Sequence, residues 1–160
     1  MSTYLTTSPR GGYSLIDSRT LKLVRQMDLF KEKIVRSLTT QLHKEKFEGL
    51  TPKQLVFMGE LDCGANHASE LARRLGITRQ AVHKTVQELQ RLGWLDVVPH
   101  PEYGNQKVIE FTIEGERMMS RARAHFATID TILCNRFGEA ALDTLEEILT
   151  SPAIEDIVAE

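Results

Sequence analysis

Apolar residues recur at helical spacing through most of the chain. From Ser18 to about Lys44 there is no glycine or proline, and apolar side chains follow one another every three or four residues, at Leu23, Met27, Phe30, Ile34, Leu38 and Leu42. A helix of this length extends about 40 Å, which is more than a domain of this size needs to cover its own core. We therefore expect part of this helix to pack against a second copy of the chain.

Three shorter helices are predicted after the long one. Thr51 and Pro52 suit the first two positions of a helix that continues to about Leu61. A short third helix ends at Gly76, where a left-handed backbone is commonly needed, and Thr78 caps a fourth helix. The last two helices share a predicted core, formed by Leu71, Leu75, Ile77, Val82, Val86, Leu89 and Leu92.

The period of the pattern changes from helical to extended after Gly93. Trp94–Pro99 and Lys107–Thr112 are rich in β-forming side chains and flank a turn-forming cluster at Pro101–Asn105, so they predict a β-hairpin. Thr112 then begins a long helix to about Phe137. A last helical segment follows Gly138 and is restarted or kinked at Ser151-Pro152. At the other end, residues 1–17 are rich in Ser, Thr and Gly, and we expect them to form a flexible arm.

The order of helix, short helix, glycine turn, helix and hairpin is that of a winged helix-turn-helix. A turn at Leu75–Thr78 sets two short helices at a steep angle, so that the second can place its N-terminal residues in a DNA major groove. The predicted fold is therefore mainly α with a small β-hairpin wing (α+β). In this fold, we expect residues 49–112 to form the winged helix-turn-helix, with helical regions before and after it at residues 18–48 and 113–160.

The fourth helix carries a polar face opposite its apolar one. Arginine and glutamine suit guanine and adenine edges, so we expect this face to approach bases through Arg79, Gln80, His83, Lys84 and Gln87. A second set of side chains, together with helix N-termini, is expected to position phosphates: Ser69, Arg73, Arg74, Thr78 and Lys107. A polar helix face is often only solvated. Its place between a glycine turn and a hairpin favours DNA contact here.

Four stretches of the sequence resemble the multiple antibiotic resistance regulator (MarR) family. They are GLTPKQL at 49–55, ASELARRLGIT at 68–78, LQRLGWL at 89–95 and FTIEG at 111–115, and the resemblance runs from about Leu15 to Leu149. The resemblance implies a homodimer in which the terminal helices, at residues 18–48 and 113–160, form the helical dimerisation region. It also implies a sequence-specific transcriptional regulator, which we expect to be a repressor at a pseudo-palindromic operator, with binding often relieved by a small-molecule effector.

The wing departs from the family pattern. Members of the family usually carry an Asp-x-Arg element there, whose arginine enters the minor groove, whereas the corresponding positions here are Tyr103-Gly104-Asn105. Asn105 can hydrogen-bond in the minor groove but carries no charge to exploit a narrow, strongly negative groove. We therefore expect a smaller electrostatic contribution from this wing, with Lys107 as a phosphate contact.

Composition and charge fit a soluble single domain. The chain has 160 residues, of which 41% are hydrophobic and 26% charged. Its net charge of −2 at first argues against a nucleic-acid partner. However, residues 138–160 contain seven acidic residues and no Lys or Arg, so the preceding 137 residues carry +5. The distribution of charge is therefore compatible with double-stranded DNA as a partner.

Other classes of function find little support. There is no Gly-rich phosphate loop, HExxH or Gly-x-Ser-x-Gly motif, so we expect no enzyme, no catalytic residues and no cofactor. The five histidines lack short metal-ligand spacing, which argues against a metal site. No apolar run approaches the ~18 residues of a membrane span and no secretory signal is visible, so we expect a cytoplasmic protein without a membrane partner.

Two alternatives remain open. Cys63 and Cys134 are too few for a disulfide framework, and either could act as a redox sensor, with Cys134 near Arg136 the better candidate. A free cysteine is more often a small inert residue. A rival to the regulator is a winged-helix protein-interaction module that binds no DNA, because a fold alone does not settle function.

Overall fold

Helices and two short hairpins make up the part of the chain that the computed structural model describes, which is residues 5–7, 14–16, 18–100, 102–104 and 106–159. The chain divides into two units, Met1–Phe57 and Met58–Glu160. The predicted mainly α fold with a small β-hairpin is confirmed. None of the helices among the described residues combines the length and apolar character that crossing a membrane requires.

The first unit begins with a hairpin and a long helix. Strands β1 (Leu5–Thr7) and β2 (Ser14–Ile16) pair antiparallel within the segment for which the sequence predicts a flexible arm. Threonine and isoleucine favour strands, which accounts for pairing in a segment otherwise rich in turn-forming residues. Helix α1 (Arg19–Lys44) follows, and the hydroxyl of its N-cap Ser18 accepts a hydrogen bond from the backbone N–H of Leu21.

Helix α1 buries only its C-terminal part. Its buried residues are Leu38, Thr39 and Leu42, although the apolar stripe begins about four turns before Leu38, at Leu23. Phe30, in the middle of that stripe, leaves 53% of its surface exposed. The N-terminal part of the apolar stripe on α1 is therefore left exposed by the rest of the chain, as the length of the predicted helix suggests.

Hydrogen bonds fix the path from α1 into α2 (Pro52–Gly59). The Nε2 atom of His43 lies 2.8 Å from the carbonyl oxygen of Leu50. Thr51 and Gln54 form a capping box, because the Gln54 side chain accepts from the Thr51 N–H at 2.9 Å and the Thr51 hydroxyl accepts from the Gln54 N–H at 3.3 Å. Helix α2 ends two residues before the predicted Leu61.

The second unit contains the helix-turn-helix. Helices α3 (Ala68–Leu75) and α4 (Arg79–Arg91) flank Gly76, whose φ of 63° is the left-handed conformation predicted for this position. The turn is closed by hydrogen bonds from the N–H groups of Gly76 and Ile77 to carbonyls of α3. Most of the predicted core is buried, namely Leu71, Val82, Val86 and Leu89. Ile77 and Leu92 are exceptions, because the turn and the end of α4 leave 40% and 37% of their surfaces exposed.

The wing consists of two strands and a bridging asparagine. Strands β3 (Leu95–Pro99) and β4 (Lys107–Phe111) pair antiparallel. The main chain of Asn66 forms an isolated antiparallel bridge with Ile109 of β4. Its buried carboxamide accepts from the Asp62 N–H and donates to the carbonyls of Asp62, Gly64 and Ile109. The loop before α3 is thereby tied to the wing.

Helix α5 (Ile113–Phe137) starts against the end of the helix-turn-helix and is followed by α6 (Glu139–Leu149) and α7 (Pro152–Ala159). The Thr112 hydroxyl donates to the Gly93 carbonyl at 2.6 Å and accepts from the Gly115 N–H at 3.0 Å. A Cβ atom at Gly115 would overlap the carbonyl oxygen of Trp94. The glycine of the 111–115 stretch is thus required by close backbone approach.

Replacing Gly115 by alanine is expected to destabilise the protein by about 1–3 kcal/mol, because the first turn of α5 must move away from Trp94. The control is Gly59→Ala, since Gly59 is helical and has open space around its Cβ position. Chemical denaturation should show a larger loss in the free energy of unfolding for Gly115→Ala than for Gly59→Ala. Equal stability of the two variants would show that the overlap is relieved without loss.

Replacing Asn66 by alanine is expected to lower the free energy of unfolding by about 1–3 kcal/mol, because buried backbone groups of the loop and of β4 lose their partners. The matched control is Gln106→Ala, which removes an exposed amide from the same wing. Thermal or urea unfolding of both variants checks the difference. A loss at position 66 no larger than at position 106 would contradict the role given to Asn66.

Candidate nucleic-acid interface

The exposed face of α4 carries the predicted base-contacting residues. All five side chains are exposed, namely Arg79, Gln80, His83, Lys84 and Gln87. Beneath them, Val82 is fully buried and Val86 leaves only 2% of its surface exposed, so the opposite face of α4 is fixed in the core. The helix start is fixed as well, because the Thr78 hydroxyl accepts from the Ala81 N–H at 3.1 Å. The polar face is therefore presented by a helix with little freedom to rotate.

A groove runs between α4 and the wing. Its volume is about 380 Å³, and its walls come from α3, α4, β3 and β4 through Ala68, His83, Val86, Gln87, Gln90, Val97, Lys107 and Ile109. The groove brings His83 and Gln87 of α4 together with Lys107 of β4, whereas Arg79, Gln80 and Lys84 lie outside its lining. Gln90 also lines this groove, although it was not predicted from the sequence as a member of the polar face. Its position about one helical turn after Gln87 indicates the same face.

The predicted phosphate contacts on α3 differ from one another. Ser69 and Arg73 are exposed. Arg74 instead donates to the Glu60 carbonyl at 2.7 Å and lies within 3.2 Å of an Asp62 carboxylate oxygen and 3.4 Å of a Glu70 oxygen. The hydrogen bond that Arg74 donates to the Asp62 carboxylate, together with the negative charge of that carboxylate, raises the pKa of the Arg74 guanidinium. Arg74 therefore holds the loop after α2 against α3, a role that its position in a basic pair does not reveal.

The remaining predicted contacts lie at the helix start and in the wing. The Thr78 hydroxyl is engaged as the cap of α4. Lys107 is exposed at the first position of β4. Asn105 lies outside the described residues. Its neighbour Gly104 and the 58% exposed Tyr103 occupy the other positions where the family carries its charged wing element.

The wing turn is fixed by a histidine that the sequence argument did not select. The Nδ1 atom of His100 accepts hydrogen bonds from the N–H groups of Glu102 and Tyr103, each at 3.1 Å. Backbone hydrogen bonds of 2.8 Å link His100 to Gln106 and Gln106 to Tyr103. The His100 ring also stacks on that of His67, with centroids 5.7 Å apart. The only sequence cue is a histidine in front of a proline at the edge of a turn-forming cluster.

The two cysteines belong to other parts of the structure, and neither forms a disulfide. Cys63 is exposed, and a guanidinium nitrogen of Arg123 lies 3.8 Å from its sulfur. Cys134 is half-buried near the end of α5. The arginine contact therefore falls on Cys63, whereas the sequence favours Cys134 as the candidate sensor.

The first unit contains a larger cavity, of about 730 Å³, between α1 and the beginning of α2. Apolar side chains of Val35, Pro52 and Val56 line it, and Lys31 and Lys53 contribute positive charge. Asp28 and Glu32 line it as well, and Glu32 is paired with Arg36. The cavity therefore offers both apolar surface and charged groups of either sign.

Comparison with known proteins links this architecture to one family. A sequence model of the MarR family matches residues 48–104, the segment from the end of the α1–α2 connection to the wing turn. No curated protein matches the chain significantly.

Solved structures share the fold over most of their length. One is a MarR/EmrR family transcriptional regulator from an Acinetobacter species, with a TM-score of 0.66 and 19% identity over 89% of this chain and 99% of that chain. A second is the transcriptional repressor CouR bound to a 23-mer DNA duplex, with a TM-score of 0.65 and 21% identity over 82% and 89% of the two chains. A third is a mutant of MarR from E. coli complexed with operator DNA, with a TM-score of 0.63 and 17% identity over 80% and 89%. Residues 48–104 are thus similar in sequence to the MarR family, and the chain around them has the fold of solved MarR-family regulators.

Proposed function

We propose that this protein is a sequence-specific DNA-binding transcriptional regulator that acts as a homodimeric repressor. The observation that carries the proposal is the exposed polar face of α4, which is held in place by a buried opposite face and a capped N-terminus. Family membership of the winged helix-turn-helix agrees with a regulator and not with an enzyme.

The chemistry of this face suits a major groove. Arg79 and Gln80 occupy the first turn of α4, where recognition helices contact base edges. Arginine forms bidentate hydrogen bonds with guanine, and glutamine does so with adenine. Lys84 and the exposed Arg73 of α3 add positive charge for phosphates. Two solved structures with this fold, CouR and the MarR mutant, are complexes with DNA, which supports the same use here.

The homodimer is supported by apolar surface at both ends of the chain. The N-terminal part of α1 exposes Leu23, Met27 and Phe30, and α6 and α7 expose Leu145, Ile148, Leu149 and Ile154. A stripe of exposed apolar side chains along a helix is typical of an interface. A second copy is the simplest partner, because a two-fold dimer presents two α4 helices to a pseudo-palindromic operator with half-sites about 10 bp apart.

An effector, where one acts on this protein, would bind the cavity between α1 and α2. Its volume falls within the ordinary range of small-molecule sites, and its apolar walls next to Lys31 and Lys53 suit an amphipathic organic molecule. Occupation of this cavity would release the operator by changing the geometry of the dimer.

Replacing Arg79 by alanine is expected to weaken operator binding by about 1–3 kcal/mol and to relax specificity at one base pair, because a bidentate contact with guanine is lost. Fluorescence anisotropy with the operator and with single-base variants measures both effects. The control is Arg117→Ala on α5, where the guanidinium pairs with Glu114. An unchanged affinity and footprint for the Arg79 variant would remove this residue from the interface.

The same assay separates the regulator from a protein-interaction module. Affinity for DNA should fall steeply with rising salt, because bound phosphates release counterions. The absence of any DNA complex at low salt, after selection from genomic fragments, would favour the interaction module.

Replacing Phe30 by glutamate is expected to shift the protein from dimer to monomer, because a charge would be buried in the proposed interface. Sedimentation velocity over a range of concentrations measures the shift. Arg25→Glu introduces the same side chain on a different side of α1 and should leave more of the dimer intact. A monomeric wild-type protein, or a Phe30 variant as dimeric as the wild type, would contradict this interface.

A further inference from the structure

We propose that His100 is a titratable positioning residue of the wing, which holds the wing turn in its neutral form and releases it when protonated. The inference rests on the hydrogen bonds that one ring nitrogen accepts at the turn. Its consequence for DNA binding rests on the proposed function, whereas the change in the wing itself does not.

The geometry requires a neutral imidazole. The Nδ1 atom of His100 lies 3.1 Å from the backbone nitrogens of both Glu102 and Tyr103, and both of these are donors. Nδ1 must therefore present its lone pair, which places the ring hydrogen on Nε2. Protonation would put a hydrogen on Nδ1 and turn the acceptor into a donor that faces two donors. Both hydrogen bonds would be lost together.

These bonds determine the shape of the wing tip. They reproduce the turn in which an Asn or Asp side chain accepts from backbone N–H groups two and three residues further on. The turn also contains the bonds from His100 N–H to the Gln106 carbonyl and from Gln106 N–H to the Tyr103 carbonyl. The Tyr103 ring packs beside that of His100, with centroids 5.0 Å apart. Loss of the Nδ1 contacts therefore removes the side-chain acceptor that holds the Glu102 and Tyr103 amides.

The charged and titratable groups around His100 come from α3, from the turn and from β4. His67, the N-cap residue of α3, stacks on His100 with ring planes inclined by 11°. The turn contributes Glu102 and Tyr103, and β4 contributes Lys107 opposite Pro99. Only imidazoles among these groups ordinarily change charge between about pH 5 and 8.

The sign of the effect follows directly. The wing turn is ordered at the higher pH, where His100 is neutral, and its order is lost as the pH falls. In a DNA complex this loss would withdraw the wing contacts while leaving α4 in place, since α4 is held by Val82, Val86 and Leu89 in the core. The device thus affects affinity through the wing and not through the fold of the whole protein.

Hydrogen-exchange protection of the Glu102 and Tyr103 amides in the full-length protein, measured by NMR at about pH 8 and pH 5.5, tests the proposal. In the wild type we expect the protection factor, taken relative to the intrinsic exchange rate at each pH, to fall about 30-fold on acidification, the factor that corresponds to losing two hydrogen bonds of ordinary net strength. His100→Asn retains an acceptor that does not titrate and should stay protected at both pH values. His100→Ala lacks the acceptor and should be unprotected at both.

Two outcomes would overturn the proposal. One is wild-type protection that does not change with pH, and the other is an equal loss in the wild type and in His100→Asn. His67→Asn should retain the pH-dependent release, and its abolition in that variant would transfer the effect to His67 and exclude His100 as the switch.

A parallel titration with operator DNA separates this inference from the proposed function. Acidification should weaken the wild type more than His100→Asn, and the comparison cancels any change at His83, which both proteins share. A failure of every variant to bind DNA at about pH 8 would refute the proposed function, while the amide measurements would still decide the role of His100.

Discussion

The buried carboxamide of Asn66 is the contact on which the geometry of the winged helix-turn-helix depends. Its side chain satisfies backbone groups of the loop before α3, and its main chain pairs with Ile109 of β4. Without this residue, a two-stranded hairpin would have no backbone partner on that side, and isolated hairpins are marginally stable in water. One polar side chain therefore fixes the wing relative to the start of the helix-turn-helix. The groove between Lys107 and the side chains of α4 has a defined width for this reason.

A second contact fixes the other end of the wing. Thr112 caps α5 and hydrogen-bonds to the Gly93 carbonyl, while Gly115 allows the backbone of α5 to lie directly against Trp94. The end of α4, the end of β4 and the start of α5 meet at this point. Any displacement of α5 at its N-terminus therefore reaches the end of α4 through backbone contacts.

The elements of the fold could be predicted from the sequence because each one has a local cause. Gly76 ends α3 in the left-handed conformation, Thr78 caps α4, and the change from a period of three or four to alternation marks the wing. The exposed face of α4 followed from the same periodicity. The roles of Arg74 and His100 could not be predicted, because they depend on partners that the fold brings together. Arg74 pairs with Asp62, which lies in the loop between α2 and α3. His100 stacks on His67, although α3 and α4 lie between them in the sequence. Burial was overestimated from the sequence for Ile77 and Leu92, because an apolar residue at a helix end need not reach the core.

The composition of the wing changes what it can contribute to recognition. A wing with an arginine at its tip binds the minor groove through charge, and such a contact tolerates small shifts of the backbone because Coulomb attraction falls slowly with distance. Here the described tip residues Tyr103 and Gly104 carry no charge, so in the proposed DNA complex they would make contact through hydrogen bonds and packing, which require a fixed backbone. The side chain of His100 supplies that fixation through the Glu102 and Tyr103 amides. The side-chain cap in this turn therefore compensates for the absence of charge at positions 103 and 104, because it fixes the backbone on which uncharged contacts depend. A wing that relies on shape gains most from a residue that can set or release that shape.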